Sequence, residues 1–286
     1  MIADPKGSAG GGEVPVTVIA PRRSFIGNDL LEIFAYRDFL YVLIWRDLKI
    51  RYKQTVVGFA WVWFQPLAMM AVYSLFFGYL ARFPSGQFPY PLFVLSGIIP
   101  WMFLSRAISD ASTGLVENRS LLTRLYFPRI ILPVSSVVVS LVDFAVALVL
   151  LFIAMALAGH VPGVQFVFLP FFIFELFLLA IGLAVLTSAL NALYRDFSYI
   201  VPLFLQIWMF SSPVIYATDL VPAAYRPFYA LNPLVGILEG IRWSLGGGPW
   251  PHMLSDQAVC LAIISVVLIA SIAYFRKIEK TLVDTL

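Results

Sequence analysis

The sequence predicts an all-α, polytopic membrane protein: six transmembrane helices, an N-terminal amphipathic interface helix, and re-entrant outer helices before the last span. Three observations predict it. The 286 residues are 61% hydrophobic and 12% charged, with a mean hydropathy of +0.90, far from the balance of a water-soluble domain. Six apolar runs, 57–80, 91–109, 134–158, 165–190, 199–217 and 257–275, each approach the roughly 20 residues that cross hydrocarbon; they are continuous, unlike the ten-residue alternating segments of an outer-membrane barrel. Lys and Arg also alternate sides, sixteen on the side of the termini against Arg82, Arg226 and Arg242 on the other, which places both termini in the cytoplasm.

Residues 1–27 hold GSAGGGE and scattered prolines without periodicity, the composition of a disordered cytoplasmic tail. No apolar stretch follows Arg22 and Arg23, so this is not a signal peptide. An interface helix is expected over 28–56, with Asn28 or Asp29 as its N-cap. At 3.6 residues per turn Tyr41, Trp45, Leu48 and Tyr52 form one stripe, flanked by Arg46, Lys49 and Lys53 on one side and Asp47 and Arg51 on the other. Such a helix lies in the headgroup plane, rings toward hydrocarbon and cations toward water and phosphate.

Residues 57–286 form the six-helix transmembrane domain. Its second run is the least apolar, interrupted by Pro91, Ser96, Gly97 and Pro100, and needs neighbouring helices to satisfy its backbone. After it, SRAISDASTGLVENRSLLTRLYFPRIILP reads as a cytoplasmic loop with a short docking helix over 107–125. Segment 218–256 is too apolar for an ordinary outer loop, and its run 228–238 is too short to span, so it reads as re-entrant or interfacial helices closed by Gly246, Gly247, Gly248 and Pro249. Gly236 and Gly240 form a G-x-x-x-G there, a weak candidate for a dimer face. No internal repeat is visible.

The chemistry of enzymes is missing from this sequence. No G-x-x-x-x-G-K-[ST] loop occurs, so the chain does not cradle ATP phosphates in that way, and HExxH, G-x-S-x-G and paired catalytic carboxylates are absent too. Cys260 is the single cysteine, and His160 and His252 lie far apart, which leaves neither disulfide nor metal-ligand spacing. Neither catalytic nor metal-binding residues are predicted. Two acids fall within spans, Asp143 and Glu175; an interhelical hydrogen bond or a nearby cation is the favoured reading over a proton relay. Trp61, Trp63 and Tyr274 suit an interfacial belt. Tyr73, Phe76, Phe77, Trp101 and Trp208 lie deeper, either as core packing or as flat faces along a path for sugar rings.

Four segments carry a family likeness: WRDLKIRYKQTVVGFAWVWFQPL, ENRSLLTRLYFPRIILP, YRDFSYIVPLFLQIWMFSSPVIY and LNPLVGILEGIRW. In order and content the chain resembles ABC-2 type permeases, in particular the subgroup exporting O-antigen, capsule or teichoic acid polymers. The resemblance runs from about residue 30 to the C-terminus. It implies a transport subunit rather than an enzyme, a homodimer of this chain paired with two copies of a cytoplasmic ABC ATPase that binds ATP and Mg, and a lipid-linked polysaccharide as substrate, most simply O-antigen. The location it implies is the bacterial inner membrane, among membrane lipids, with no cofactor of its own and no nucleic acid partner. An ABC-2 drug or lipid exporter is the alternative, and a membrane glycan polymerase or ligase a more distant one. ATPase coupling is expected at Glu117, Arg119 and Arg124, with Leu121 and Leu122 as apolar anchors, because Pro128 and Pro133 lead from there directly into the third span. Arg195 and Asp196 are the second candidate.

Overall fold

The computed structural model describes residues 35–53, 60–125, 127–248, 250 and 252–279. The expected tail and N-cap lie outside these residues. The described chain is helical: α1 Arg37–Lys53; α2 Ala60–Tyr73, running on as a π-helix Ser74–Leu80; α3 Tyr90–Glu117; α4 Arg119–Arg124; α5 Ile131–Leu157; α6 Leu169–Leu193, entered through a 3-10 turn Val164–Phe168; α7 Phe197–Phe210; α8 Arg226–Tyr229; α9 Pro233–Ser244; and α10 Met253–Glu279. Five of the expected spans, those built on α2, α3, α5, α6 and α10, are long and apolar enough to cross a membrane.

The fifth expected run, 199–217, is helical only as far as Phe210. Its 14 residues rise about 21 Å, short of the roughly 30 Å of hydrocarbon. The chain then turns through 211–217, and Asn232 holds the turn in place. Asn232 accepts from the Trp208 indole at 3.0 Å and caps α9 by accepting from the Leu234 amide at 3.1 Å, while its own amide donates to the Ser211 carbonyl and the Ser212 hydroxyl. Pro233, which lacks an N–H, sits at the first position of α9, where none is needed.

The run with the most helix breakers is the centre of the bundle. In α3, 78% of the most apolar stretch is buried by protein, against 6% in the span built on α2. Pro100 and Ser96 are tolerated there because both are buried among α2, α5, α6, α7 and α9, which pack around the helix. α3 packs most extensively against α5 and α6, and α6 in turn against α10. Its 28 residues extend about 42 Å, so the second span continues where a cytoplasmic loop was expected. The predicted 107–125 docking helix is therefore divided. Residues 107–117 belong to α3, Asn118 marks the break, and only the six-residue α4 stands apart.

Two hydrophobic clusters hold the bundle. The larger runs through α3, α5, α6, α7, α9 and α10. The smaller joins Leu43 of α1 to Leu115, Phe127, Ile131, Val185, Ala189 and Phe275, one end of every long helix from α3 onward. These ends share one side of the bundle, as alternating spans require. At α9 the G-x-x-x-G is used within the chain. A β-carbon on Gly240 would lie 2.2 Å from the Phe172 ring of α6, and one on Gly236 2.9 Å from Cys260 of α10.

Candidate functional site

The site lies where α1 meets α3 and α5. Arg51, near the end of α1, donates from Nη1 to Asp143 Oδ2 and from Nη2 to Asp110 Oδ2, both at 2.5 Å. Tyr52 Oη donates to the other oxygen of Asp143. Burial and that bond push the Tyr52 phenol above its ordinary value, so it remains a protonated donor. Arg106, one turn before Asp110 on α3, places Nη1 3.6 Å from Asp143 Oδ2. One arginine thus ties the interface helix to two spans, and a carboxylate inside a span has cationic and phenolic partners.

This arrangement corrects the expected disposition of α1. Tyr41 and Trp45 do project away from the protein, with Lys49 over the Trp45 ring at 5.8 Å. Leu48 is half-buried. Arg51, expected among the headgroups, and Tyr52, expected toward hydrocarbon, both turn into the protein, because Asp110 and Asp143 offer partners that lipid does not. The packed stripe is Tyr36, Phe39, Leu40 and Leu43 instead. Arg46 and Asp47 pair at 2.8 Å, and Arg46 also donates to Asn118 Oδ1 at 3.0 Å.

From this cluster a cavity of about 480 Å3 opens between α2, α3, α5 and α7. Trp101, Met102, Ser105, Arg106 and Ser109 of α3 form one wall; Ser140, Asp143 and Phe144 of α5 another; Val62 and Gln65 of α2, with Pro202, Leu205, Gln206 and Met209 of α7, the rest. Flat and apolar surfaces alternate with hydroxyl and amide groups. The Ser140 hydroxyl is fully buried and has no hydrogen-bond partner among the described residues.

The five aromatic residues expected along a path separate into groups. Trp101 lines the cavity, and Trp208 meets it edge to face with centroids 5.9 Å apart. Tyr73 and Phe77 pack on each other and on Phe83 further along α2, while Phe76 is 54% exposed on the outside of the bundle. Of the expected coupling residues, Glu117, Arg119 and Arg124 are exposed around α4, and Arg195 and Asp196 are exposed before α7. Leu121 and Leu122 are half-buried against the inner cluster, which already uses part of their surface. Glu175 of α6 accepts from the Gln257 amide of α10, an interhelical bond. Arg106, Asp110, Gln65 and Gln206 were not foreseen as site residues. The i, i+4 spacing of Arg106 and Asp110 was the available signal, hidden by assigning both to a loop.

Among the described residues no group of three or more His, Cys, Asp or Glu side chains is placed to hold a metal ion. A bundle of apolar helices thus encloses a cavity whose walls are part polar and part aromatic. The chain belongs to the ABC-2 type transporter family, which matches residues 39–245, and it is a transport permease. It is 31% identical over 242 residues to the O-antigen export system permease protein RfbA of Myxococcus xanthus, covering 83% of this chain and 91% of that one. A permease of the same name from Klebsiella pneumoniae is 24% identical over 253 residues, 87% of this chain and 95% of its own. The polysialic acid transport protein KpsM of Escherichia coli is 22% identical over 248 residues, 85% and 94% of the two chains.

Proposed function

We propose that this chain is the transmembrane subunit of an ATP-driven exporter that moves a lipid-linked polysaccharide, of the O-antigen class, across the bacterial inner membrane. The observation that carries this reading is the cavity, where Trp101 and other apolar faces lie among Ser and Gln side chains. Sugar rings present apolar C–H faces and a rim of hydroxyls, and that wall answers both. The names of the similar permeases point to the same substrate class. Two copies of the chain pair with two copies of a cytoplasmic ABC ATPase, which supplies the ATP chemistry that no loop of this chain offers. Both termini face the cytoplasm, and the ATPase docks on the inner end, where Glu117, Arg119 and Arg124 are exposed.

Deletion of the gene tests this reading. Surface polysaccharide should disappear while lipid-linked polymer accumulates inside the cell, and the chain expressed from a plasmid should restore export. Unchanged surface glycan, with altered resistance to amphiphilic drugs, would establish the drug-exporter alternative instead.

A further inference from the structure

We propose that Arg106 forms an oxyanion subsite in the cavity, taking the phosphate or carboxylate of a charged sugar. The proposal rests on the reading of the cavity as a glycan path. Its basis is the unequal use of two neighbouring arginines. Arg51 spends its guanidinium on both carboxylates, and Tyr52 takes the remaining oxygen of Asp143. Among the described residues Arg106 makes one ion pair, with Asp143 at 3.6 Å, beyond hydrogen-bonding distance. Its side chain is 44% exposed where that of Asp143 is 10%, and it borders the cavity. A guanidinium holds five N–H donors in a planar fork that fits a carboxylate or phosphate through two parallel bonds.

A second observation points the same way. The fully buried Ser140 hydroxyl, across the cavity on α5, has no hydrogen-bond partner among the described residues. A polar group held out of water normally has one. An unpartnered hydroxyl on one wall and a guanidinium with unused donors on another suit a ligand that brings its own oxygens. Arg51, Arg106, Asp110 and Asp143 balance in charge, so the cluster as a whole does not repel an anion. Trp101, Ser105 and Ser109 recur at four-residue spacing along α3 with Arg106 beside them, so a sugar lying on the indole carries its acidic substituent toward the guanidinium.

The test uses the permease purified with its ATPase in lipid nanodiscs, titrated by saturation-transfer NMR with glucose, glucose 1-phosphate, glucuronic acid and inorganic phosphate. Glucose 1-phosphate and glucuronic acid should each bind about tenfold more tightly than glucose, the scale of a charge-assisted pair. Arg106→Gln should erase that preference and leave glucose unchanged, and Arg106→Lys should restore part of it. Preference for one acid over the other identifies the source of the anion as phosphate-linked or uronic. Equal binding of all three sugars, or a preference that survives in Arg106→Gln, overturns the subsite and leaves the glycan path standing. Inorganic phosphate binding as tightly as glucose 1-phosphate overturns it as a sugar subsite. Failure of every sugar to bind overturns the glycan path, and the subsite with it. ATPase co-purification and thermal stability of each variant show that the comparison is made on folded complexes.

Discussion

Arg46 of the interface helix donates a hydrogen bond to Asn118, the residue at which the second span ends and the exposed α4 begins. The same Asn118 donates back to the Gly114 carbonyl, which fixes it to the end of α3. The interface helix and the α3–α4 corner are thus joined by a hydrogen bond here, and α1 is tied to α3 and α5 again at Arg51.

Coupling should therefore respond to changes at either part. Reversing Glu117 and Arg124 together should weaken ATPase docking or separate hydrolysis from export while the permease still inserts, since interface residues of this kind cost about 2 kcal/mol on loss. Arg46→Ala should leave docking intact and lower export per ATP hydrolysed. Co-purification, hydrolysis rate and surface glycan measured in the same strains check both. Wild-type values in the double reversal would move the docking site to Arg195 and Asp196.

Asp143 should be essential to the folded bundle. Asp143→Ala leaves Arg51 and Tyr52 turned inward without their common acceptor, a loss on the order of 3 kcal/mol for a largely buried pair. The double variant Arg51→Met with Asp143→Leu should recover much of the melting temperature without recovering export. Equal destabilisation in single and double variants would show that the ion pair itself is not the cause.

Two glycines should resist alanine for different reasons. A β-carbon on Gly97 would stand 2.4 Å from the Val214 carbonyl oxygen, a backbone atom with little freedom to yield. On Gly240 the obstacle is the Phe172 ring. Each alanine should cost roughly 1–3 kcal/mol, but Phe172→Leu should relieve only Gly240→Ala. Monodisperse yield and thermal stability in detergent measure this.

Arg242→Lys should be poorly tolerated. The guanidinium is 4% exposed, donates to the Val214 carbonyl at 3.0 Å and lies 3.7 Å from the Phe93 ring centre. An ammonium keeps the charge but neither stacks flat on the ring nor reaches several acceptors in one plane. The expected loss is about 2 kcal/mol, read as a lower melting temperature.

Sidedness should appear in labelling from outside the cell with an impermeant thiol reagent. In a Cys260→Ser background, Gln87→Cys should react and Ser120→Cys should not; both positions are exposed, at opposite ends of the bundle. The reverse pattern would invert the orientation.

Hydropathy and helix breakers, read along the sequence, were enough to determine an all-α membrane protein and its long apolar helices. These properties are local, because a span needs only enough consecutive apolar residues. The two intramembrane acids were also legible as partners for other helices, since a carboxylate in hydrocarbon must find one. Which partner each found was decided by tertiary structure. Nothing near Arg51 in sequence says that its guanidinium reaches Asp143, ninety-two residues away, instead of a lipid phosphate. The run that looked weakest as a span became the buried centre because its fate depended on neighbours, and hydropathy scores a helix as if lipid were its only neighbour. For the same reason Trp101 and Phe76, alike as aromatic residues in apolar runs, ended on a cavity wall and on the outer surface.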